Sequence, residues 1–449
     1  MKTRTLFVVA VVLSSCGAQA VGTAQPTLTT PNSMAPPSTG LAVTASLTTA
    51  PLTTAPVSQI GDMTDLAVIS ADGRVVVVRN SVMSAPVKGL VAAENTTLIS
   101  TVADPSGDST SVAWLGLSDG VERGRVSLAG DLTAIATDQT GDVVALTEAN
   151  PPKGMRSQIV IATAGGEVFR RSYASELLPE GFSNFFTAIP NVPAGLFVVE
   201  YLEPRPSASN APRRYQVRVL DTSTGELALP FNLRDKSQTV DEQMLGFGRS
   251  HVLSPRNGLL FTLYRGVDKD EANYAFVHTL GFVNGVWCLD LPVELGLATL
   301  PGAIALADAE KRLVVSSANG YMTEFVVDDI TNPEQKPAPR RTSKVWTPDS
   351  NTSAPAMSTN ATQILVGQDA TLRWIDADTL VVQADTRVVQ SVQQWDVQIE
   401  AVALLSNGDA VAAGTRRISQ ITSSGTLVAE MVLPPSFGTV WRIVPLSHT

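Results

Sequence analysis

Few side chains in this sequence are equipped for chemistry, and their spacing narrows the choice further. Only three histidines and two cysteines occur among 449 residues. His251 and His278 fall in neighbouring apolar segments, so a metal shared on one small sheet is the imidazole site to weigh. No third ligand stands at strand spacing from them, and two strand histidines held by local hydrogen bonds are the plainer reading. His448 stands apart near the end of the sequence. Two thiols, Cys16 and Cys288, cannot build a cysteine-based metal cluster. Asp268-Lys269-Asp270-Glu271 lacks the oxygen spacing of a calcium loop and reads as a solvated hairpin tip. There is no Gly-x-Ser-x-Gly elbow, no phosphate-binding loop and no His-Glu-x-x-His zinc motif. Two basic stretches, 204–214 with Arg205, Arg213 and Arg214, and 340–344 with Arg340, Arg341 and Lys344, are tied to prolines and read as exposed insertions. These residues predict no catalytic, cofactor-binding or metal-binding position.

The amino terminus is more specific. Lys2 and Arg4 precede an uncharged apolar run over 6–13. A run of that length suits the core of an export signal and falls short of the ~20 apolar residues a spanning helix needs. Leu13-Ser14-Ser15-Cys16 closes the segment and Gly17 follows. This resembles the lipobox of bacterial lipoproteins, in which a branched apolar residue and two small ones precede a cysteine. Small residues let the chain enter a peptidase cleft in extended form, and the thiol is the nucleophile. The resemblance implies a signal peptide over 1–15, cleavage before Cys16, a diacylglyceryl group on its sulfur and palmitate-type acylation. Several acyl chains, at ~0.8 kcal/mol per buried methylene, hold a protein stably to a bilayer. The other reading is an ordinary secretory signal cut near Ala18 or Ala20, with Cys16 discarded. Gly17 stands where an inner-membrane retention signal carries Asp, which points to the outer membrane in an organism that has one.

Residues 16–58 read as a disordered tether. No charged residue occurs from Thr5 through Gly61, and 17–58 hold no aromatic residue. A stretch so dense in Thr, Pro, Ala and Ser cannot bury enough apolar area to offset its ordering entropy. At ~3.1 Å per residue it reaches on the order of 130 Å. Without the leader, 30 basic residues face 42 acidic ones, a net charge of −12. That balance argues against nucleic acid as a partner and against electrostatic attachment to anionic lipid. With Cys16 lipidated, Cys288 is left as a lone thiol and no disulfide forms within the chain.

Whatever site exists must be positioned by residues 59–449. Short apolar runs rich in Val, Ile, Leu, Phe and Tyr alternate there with Asp, Asn, Ser and Gly turns. Runs at 66–69 and 75–78 flank Asp72-Gly73; runs at 132–136 and 143–146 flank Thr140-Gly141; runs at 275–280 and 286–289 flank Asn284-Gly285. Such pairs supply the positive φ angles of tight hairpins. The hairpins group into four-stranded units near 131–180, 181–240, 241–298, 299–345, 346–395 and 396–435. The stretch 60–130 holds one more unit with an insertion, or two thin ones. The tail 439–446 reads as a strand that pairs with 60–80. Only 303–313 and 235–244 look tolerant of helix.

This pattern is similar to bacterial propeller repeats of the WD40-like, YVTN-like and quinoprotein-like groups. Leu220-Asp221-Thr222-Ser223-Thr224-Gly225 and Ile375-Asp376-Ala377-Asp378-Thr379 match the Asp-x-x-Thr-Gly turn between the last two strands of such blades. The Trp that follows this turn in quinoprotein repeats is missing in both places. Trp395-Asp396 is a lone WD pair with no Gly-His before it, and sialidase-type Asp-boxes do not occur. The resemblance implies an all-β propeller of four-stranded antiparallel blades, seven in number with eight as the alternative, and names no catalytic subfamily. A two-sheet sandwich is the competing fold. The expected function is a non-enzymatic lipoprotein of the cell envelope, exported and anchored in the cell or outer membrane through Cys16. Its propeller would serve as a scaffold for an envelope protein or a glycan. The alternative is an enzyme (a hydrolase, lyase or quinoprotein-like protein) working in the central funnel, where Asp138 and Asp308 stand near predicted inner-strand ends. A surface component without a defined ligand is the third reading.

Overall fold

Nearly all regular structure in the computed structural model is antiparallel strand; one five-residue helix, Val327–Thr331, and a 3-10 turn, Val293–Leu295, are the helical elements among the described residues. Residues 59–92, 96–138, 140–151, 156–182, 195–203, 213–228, 242–244, 250–267, 273–281, 285–332, 336–349, 353–388, 398–414 and 416–446 are described. The leader 1–15, Cys16 and the rest of 16–58, Arg205, Asp268-Lys269-Asp270-Glu271, Trp395-Asp396 and His448 lie outside them. No helix among the described residues is long and apolar enough to cross a membrane.

The inner strands are apolar on both faces, whereas outer strands such as Glu122–Ala129 and Gly166–Ser172 are largely exposed. In the Leu66–Ser70 strand, Leu66 and Val68 face one apolar cluster while Ala67 and Ile69 face another. The neighbouring Arg74–Arg79 strand sends Val76 and Val78 to the first and Val75 and Val77 to the second. Far along the sequence Leu365, Leu372 and Trp374 face one cluster, and Ile364, Val366 and Ile375 face another. Burial on both sides explains why the sequence shows continuous apolar runs in place of a polar–apolar alternation.

Followed from face to face, these clusters close a circle. The four-stranded unit of Val440–Pro445, Leu66–Ser70, Arg74–Arg79 and Val82–Met83 (unit 1) packs against 87–129 (unit 2). Unit 2 packs against 132–172 (unit 3), and unit 3 against 176–228 (unit 4). The series continues through 250–290 (unit 5), 302–344 (unit 6), 356–387 (unit 7) and 401–432 (unit 8). Unit 8 then packs on unit 1. The fold is an all-β propeller of four-stranded antiparallel sheets. The stretch 60–130 supplies two of these units, so the described residues form eight, the count given above as the alternative to seven. Two neighbouring pairs are also hydrogen-bonded to each other. Val87–Val91 pairs with both Arg74–Arg79 and Thr97–Ala103. Glu242–Met244 pairs with both Arg213–Asp221 and Leu259–Val267.

The tail strand behaves as expected: Val440–Pro445 pairs with Leu66–Ser70, from Leu66 opposite Pro445 to Ser70 opposite Val440. The first strand of each unit is a sheet edge, whose outward N–H and C=O groups need partners. In units 5 to 8 and 1 these first strands lie one against the next. Side chains supply the partners. Ile304 N donates to Ser250 Oγ at 3.2 Å, Leu404 N to Ser358 Oγ at 3.0 Å and Val440 N to Glu400 Oε2 at 2.7 Å. Thr359 Oγ1 donates to Leu306 O.

The helix tolerance read at 303–313 is corrected by strands Gly302–Ala307 and Arg312–Ser317, with a turn between them. Asp308, Ala309 and Glu310 all take positive φ there (53°, 49° and 69°). Unit 5 holds that turn: Ser254 Oγ and Arg256 N donate to Glu310 Oε2 at 2.8 and 3.0 Å. In 235–244 the described part, Glu242–Met244, is strand.

Candidate axial site

The strand that completes unit 1 is irregular. Its register slips between Ile69 and Ser70, which oppose Arg442 and Val440, so Trp441 is the extra residue of a bulge. A bulge breaks strict alternation and re-aims side chains. Trp441 and Arg442 are consequently both exposed, although Val440 and Ile443 on either side are buried.

Trp441 is 49% exposed, whereas Trp114, Trp287, Trp346 and Trp374 are at most 7% exposed. Three of the buried indoles bond into the next unit. Trp114 Nε1 donates to Gly141 O at 2.7 Å, Trp346 Nε1 to Gln368 Oε1 at 2.8 Å and Trp374 Nε1 to Gly408 O at 2.9 Å. Trp441 instead meets His251, with ring centroids 5.7 Å apart and planes tilted by 48°. His251 belongs to the first strand of unit 5, Ser250–Ser254, and is exposed. Units 1 and 5 have three units between them in either direction round the ring. Their side chains therefore meet across the axis, which places both rings in the central channel.

Arg442 follows Trp441 on the same strand. Its cross-strand partner Ile69 belongs to the cluster shared with unit 2. Glu400, which accepts from Val440 N, is just ahead of the first strand of unit 8. Among the described residues no carboxylate comes within 4.0 Å of the Arg442 guanidinium. Burial pushes its pKa below the usual arginine value. The side chain is open to solvent yet crowded, as expected in a narrow channel. The arrangement offers an aromatic platform of two rings and one cation with no acidic neighbour within 4.0 Å among the described residues.

The residues singled out in the sequence lie elsewhere or do other work. His251 and His278 are in register on one sheet, but Thr262 is paired to both and stands between them. Two strand spacings separate them by roughly 10 Å, too far for one metal ion. His278 is fully buried, edge-on to Tyr264 and Phe276 at 5.4 and 5.9 Å. Asp138 and Asp308 do not converge. Asp138 Oδ1 accepts from Gly141 N at 2.9 Å and Val143 N at 3.1 Å, closing a hairpin of unit 3, and burial raises its pKa. Asp308 opens the unit 6 turn, 3.5 Å from Arg312 Nε.

The basic stretches are corrected in part. Arg213 is buried, 2.7 Å from Glu176 Oε2, with its guanidinium 3.7 Å from the centre of the Tyr201 ring. Arg214 Nε pairs with Glu203 Oε1 at 2.6 Å. Arg340 and Arg341 both pair with the buried Glu324, and Lys344 lies 5.9 Å from the Tyr321 ring centre. No group of three or more His, Cys, Asp and Glu among the described residues could hold a metal ion.

No family model matches the chain, and no curated protein matches it. Solved structures are similar to it at low identity. Dihydro-heme d1 dehydrogenase NirN in complex with DHE shares 12% identity over 85% of this chain and 75% of its own, with a TM-score of 0.48. Sqt1 of Saccharomyces cerevisiae shares 11% over 79% and 87%, with a TM-score of 0.45. BamB of Moraxella catarrhalis shares 10% over 84% and 100%, with a TM-score of 0.39. Likeness at this level bears on fold alone, and the architecture rests on the sheets and their packing described above.

Proposed function

We propose that this chain is a non-enzymatic lipoprotein of the cell envelope, lipidated on Cys16 and using its propeller as a rigid scaffold for binding a protein or a glycan. The observation that carries the reading is where charge is used. The buried carboxylates Glu176, Glu324 and Glu430 are each held by arginine between strands of the ring, at 2.7 Å to Arg213, 2.6 Å to Arg341 and 2.5 Å to Arg417. Those groups serve the ring. The axial face presents aromatic and cationic side chains suited to contact rather than to bond making.

The entry of the chain supports the tethered arrangement. Gln59–Ile60, directly after the 16–58 stretch, pairs with Leu427–Val432 on the outer edge of unit 8. An anchor attached there would pull on the perimeter and leave the axis clear. The test is fractionation of envelopes from cells making the full-length protein and its Cys16→Ala form, with metabolic labelling by a clickable palmitate analogue. The native protein is expected in the membrane fraction with label, and the variant in the soluble fraction without it. Unchanged membrane attachment of the variant would remove the anchor from this account.

A further inference from the structure

We infer that the axial face built by Trp441, His251 and Arg442 binds an acidic sugar, a pyranose ring bearing a carboxylate. The inference deepens the scaffold reading above by naming the ligand class, and it rests on that reading.

Three observations converge on this chemistry. A half-exposed indole on a hydrogen-bonded strand is a stiff apolar platform, and its position against His251 makes the platform two rings wide. Aromatic faces of this kind take flat apolar surfaces that end in polar groups, and one face of a pyranose has that character. Arg442 follows Trp441 directly and exposes a cation with no carboxylate beside it among the described residues, on a chain whose net charge is −10. A guanidinium offers a planar fork that a carboxylate matches with two hydrogen bonds. An anion beside the guanidinium would offset the desolvation that disfavours its charge in the free protein.

The backbone separates a sugar from a peptide. An extended peptide would bind by adding main-chain hydrogen bonds to an exposed strand edge. Around this channel, one main-chain donor on each of the first strands of units 6, 8 and 1 (Ile304, Leu404 and Val440 N) is already taken, by Ser250, Ser358 and Glu400. The ring faces of Trp441 and His251 and the Arg442 guanidinium suit a ligand that stacks and pairs through side chains.

The test uses the full-length protein with tetramers of galacturonate and of glucuronate as probes, and the neutral galactose tetramer as control. Binding is read by calorimetry and by Trp441 emission with acrylamide quenching, against the background of Trp441→Phe. The uronates are expected to protect Trp441 from quenching in a saturable way and to bind at least roughly tenfold more tightly than the neutral tetramer, the discrimination of one charge-assisted pair. Arg442→Gln is expected to erase that discrimination while keeping weak binding to both. Trp441→Ala is expected to abolish binding of both with the thermal melt unchanged.

Absence of saturable heat with either uronate, equal affinity for the neutral tetramer, or an Arg442→Gln protein that still discriminates would each overturn the proposal. Trp441-dependent binding of poly-glutamate in place of sugars would reassign the face to acidic peptides and overturn it equally. Membrane attachment of the Cys16→Ala form is read separately, so failure here is distinguishable from failure of the anchored-scaffold reading.

Discussion

Two places in this ring, one with three arginines and one with a single arginine, differ in what the positive charge meets. At the junction of units 6 and 7, Glu324 is fully buried and ringed by Arg341 at 2.6 Å, Arg340 at 3.1 Å and Arg312 at 3.7 Å. Arg312 reaches on to Asp378 of unit 7 at 2.9 Å, and Arg341 Nη2 donates to Ala377 O at 3.1 Å. Each of these guanidiniums has a partner, and the cluster works as a rivet between blades. Arg442, next in sequence to the exposed Trp441, has no acid within 4.0 Å among the described residues. A satisfied cation marks structure, and an unsatisfied one on a rigid element marks a place left for something else.

That contrast can be tested from its strongest claim downward. Deleting residues 440–446 removes the strand that completes unit 1 and uncovers faces of the clusters shared with units 8 and 2. The shortened chain is expected to lose its cooperative melt by circular dichroism; a native-like melt would show that the ring holds without this strand. Glu324→Ala comes next. It leaves the buried Arg312 and the more exposed Arg341 and Arg340 without their shared acid, and about 3–5 kcal/mol of stability should be lost in urea unfolding. A loss near zero would strip the junction of its assigned role.

Trp374→Phe keeps the ring in place between units 7 and 8 but removes the bond to Gly408 O. It should cost about 1–3 kcal/mol by the same measurement. Trp441→Ala, the same residue type on the axis, should change stability by no more than about 0.5 kcal/mol, as expected of an exposed side chain. Similar losses from the two tryptophan changes would collapse the distinction.

The smallest effect belongs to an exposed turn. Ser109 and Ser106 donate to Asp104, holding its pKa at about 2. Because the folded value lies below the ordinary one, its stabilising contribution is present above about pH 4 and fades as pH falls through the folded value. Carbon-detected titration of Asp104 should show this, and Ser109→Ala should move the midpoint back toward the usual range.

Most of the scaffold was legible because burial on two faces writes itself into the sequence as short apolar runs between turn residues. The hairpin at Asp72-Gly73 and the closing tail 439–446 are examples. The turn at 308–310 was not legible. Its positive φ angles fall on Asp, Ala and Glu with no glycine to announce them, and they are imposed by contacts from unit 5. Ala-rich flanks buried on both sides left no period to separate strand from helix. Arg213 looked like part of a loop because its partner Glu176 is distant in sequence. The axial face was hidden for a similar reason. Trp441 and Arg442 read as ordinary members of a tail strand, and only the slip in register against Ile69 and Ser70 turns both outward. His251 was visible, but its neighbour across the axis was not.

The seal between Val440–Pro445 and Leu66–Ser70 also sets a clock. A ribosome working at roughly 5–20 residues per second delivers the second partner on the order of tens of seconds after the first. Throughout that interval the early strand has a bare edge and apolar flanks, the state most open to mispairing with other chains. A newborn copy therefore depends on being sheltered until its last turn of sequence arrives, and a message cut short before codon 440 yields a product with no way to finish itself.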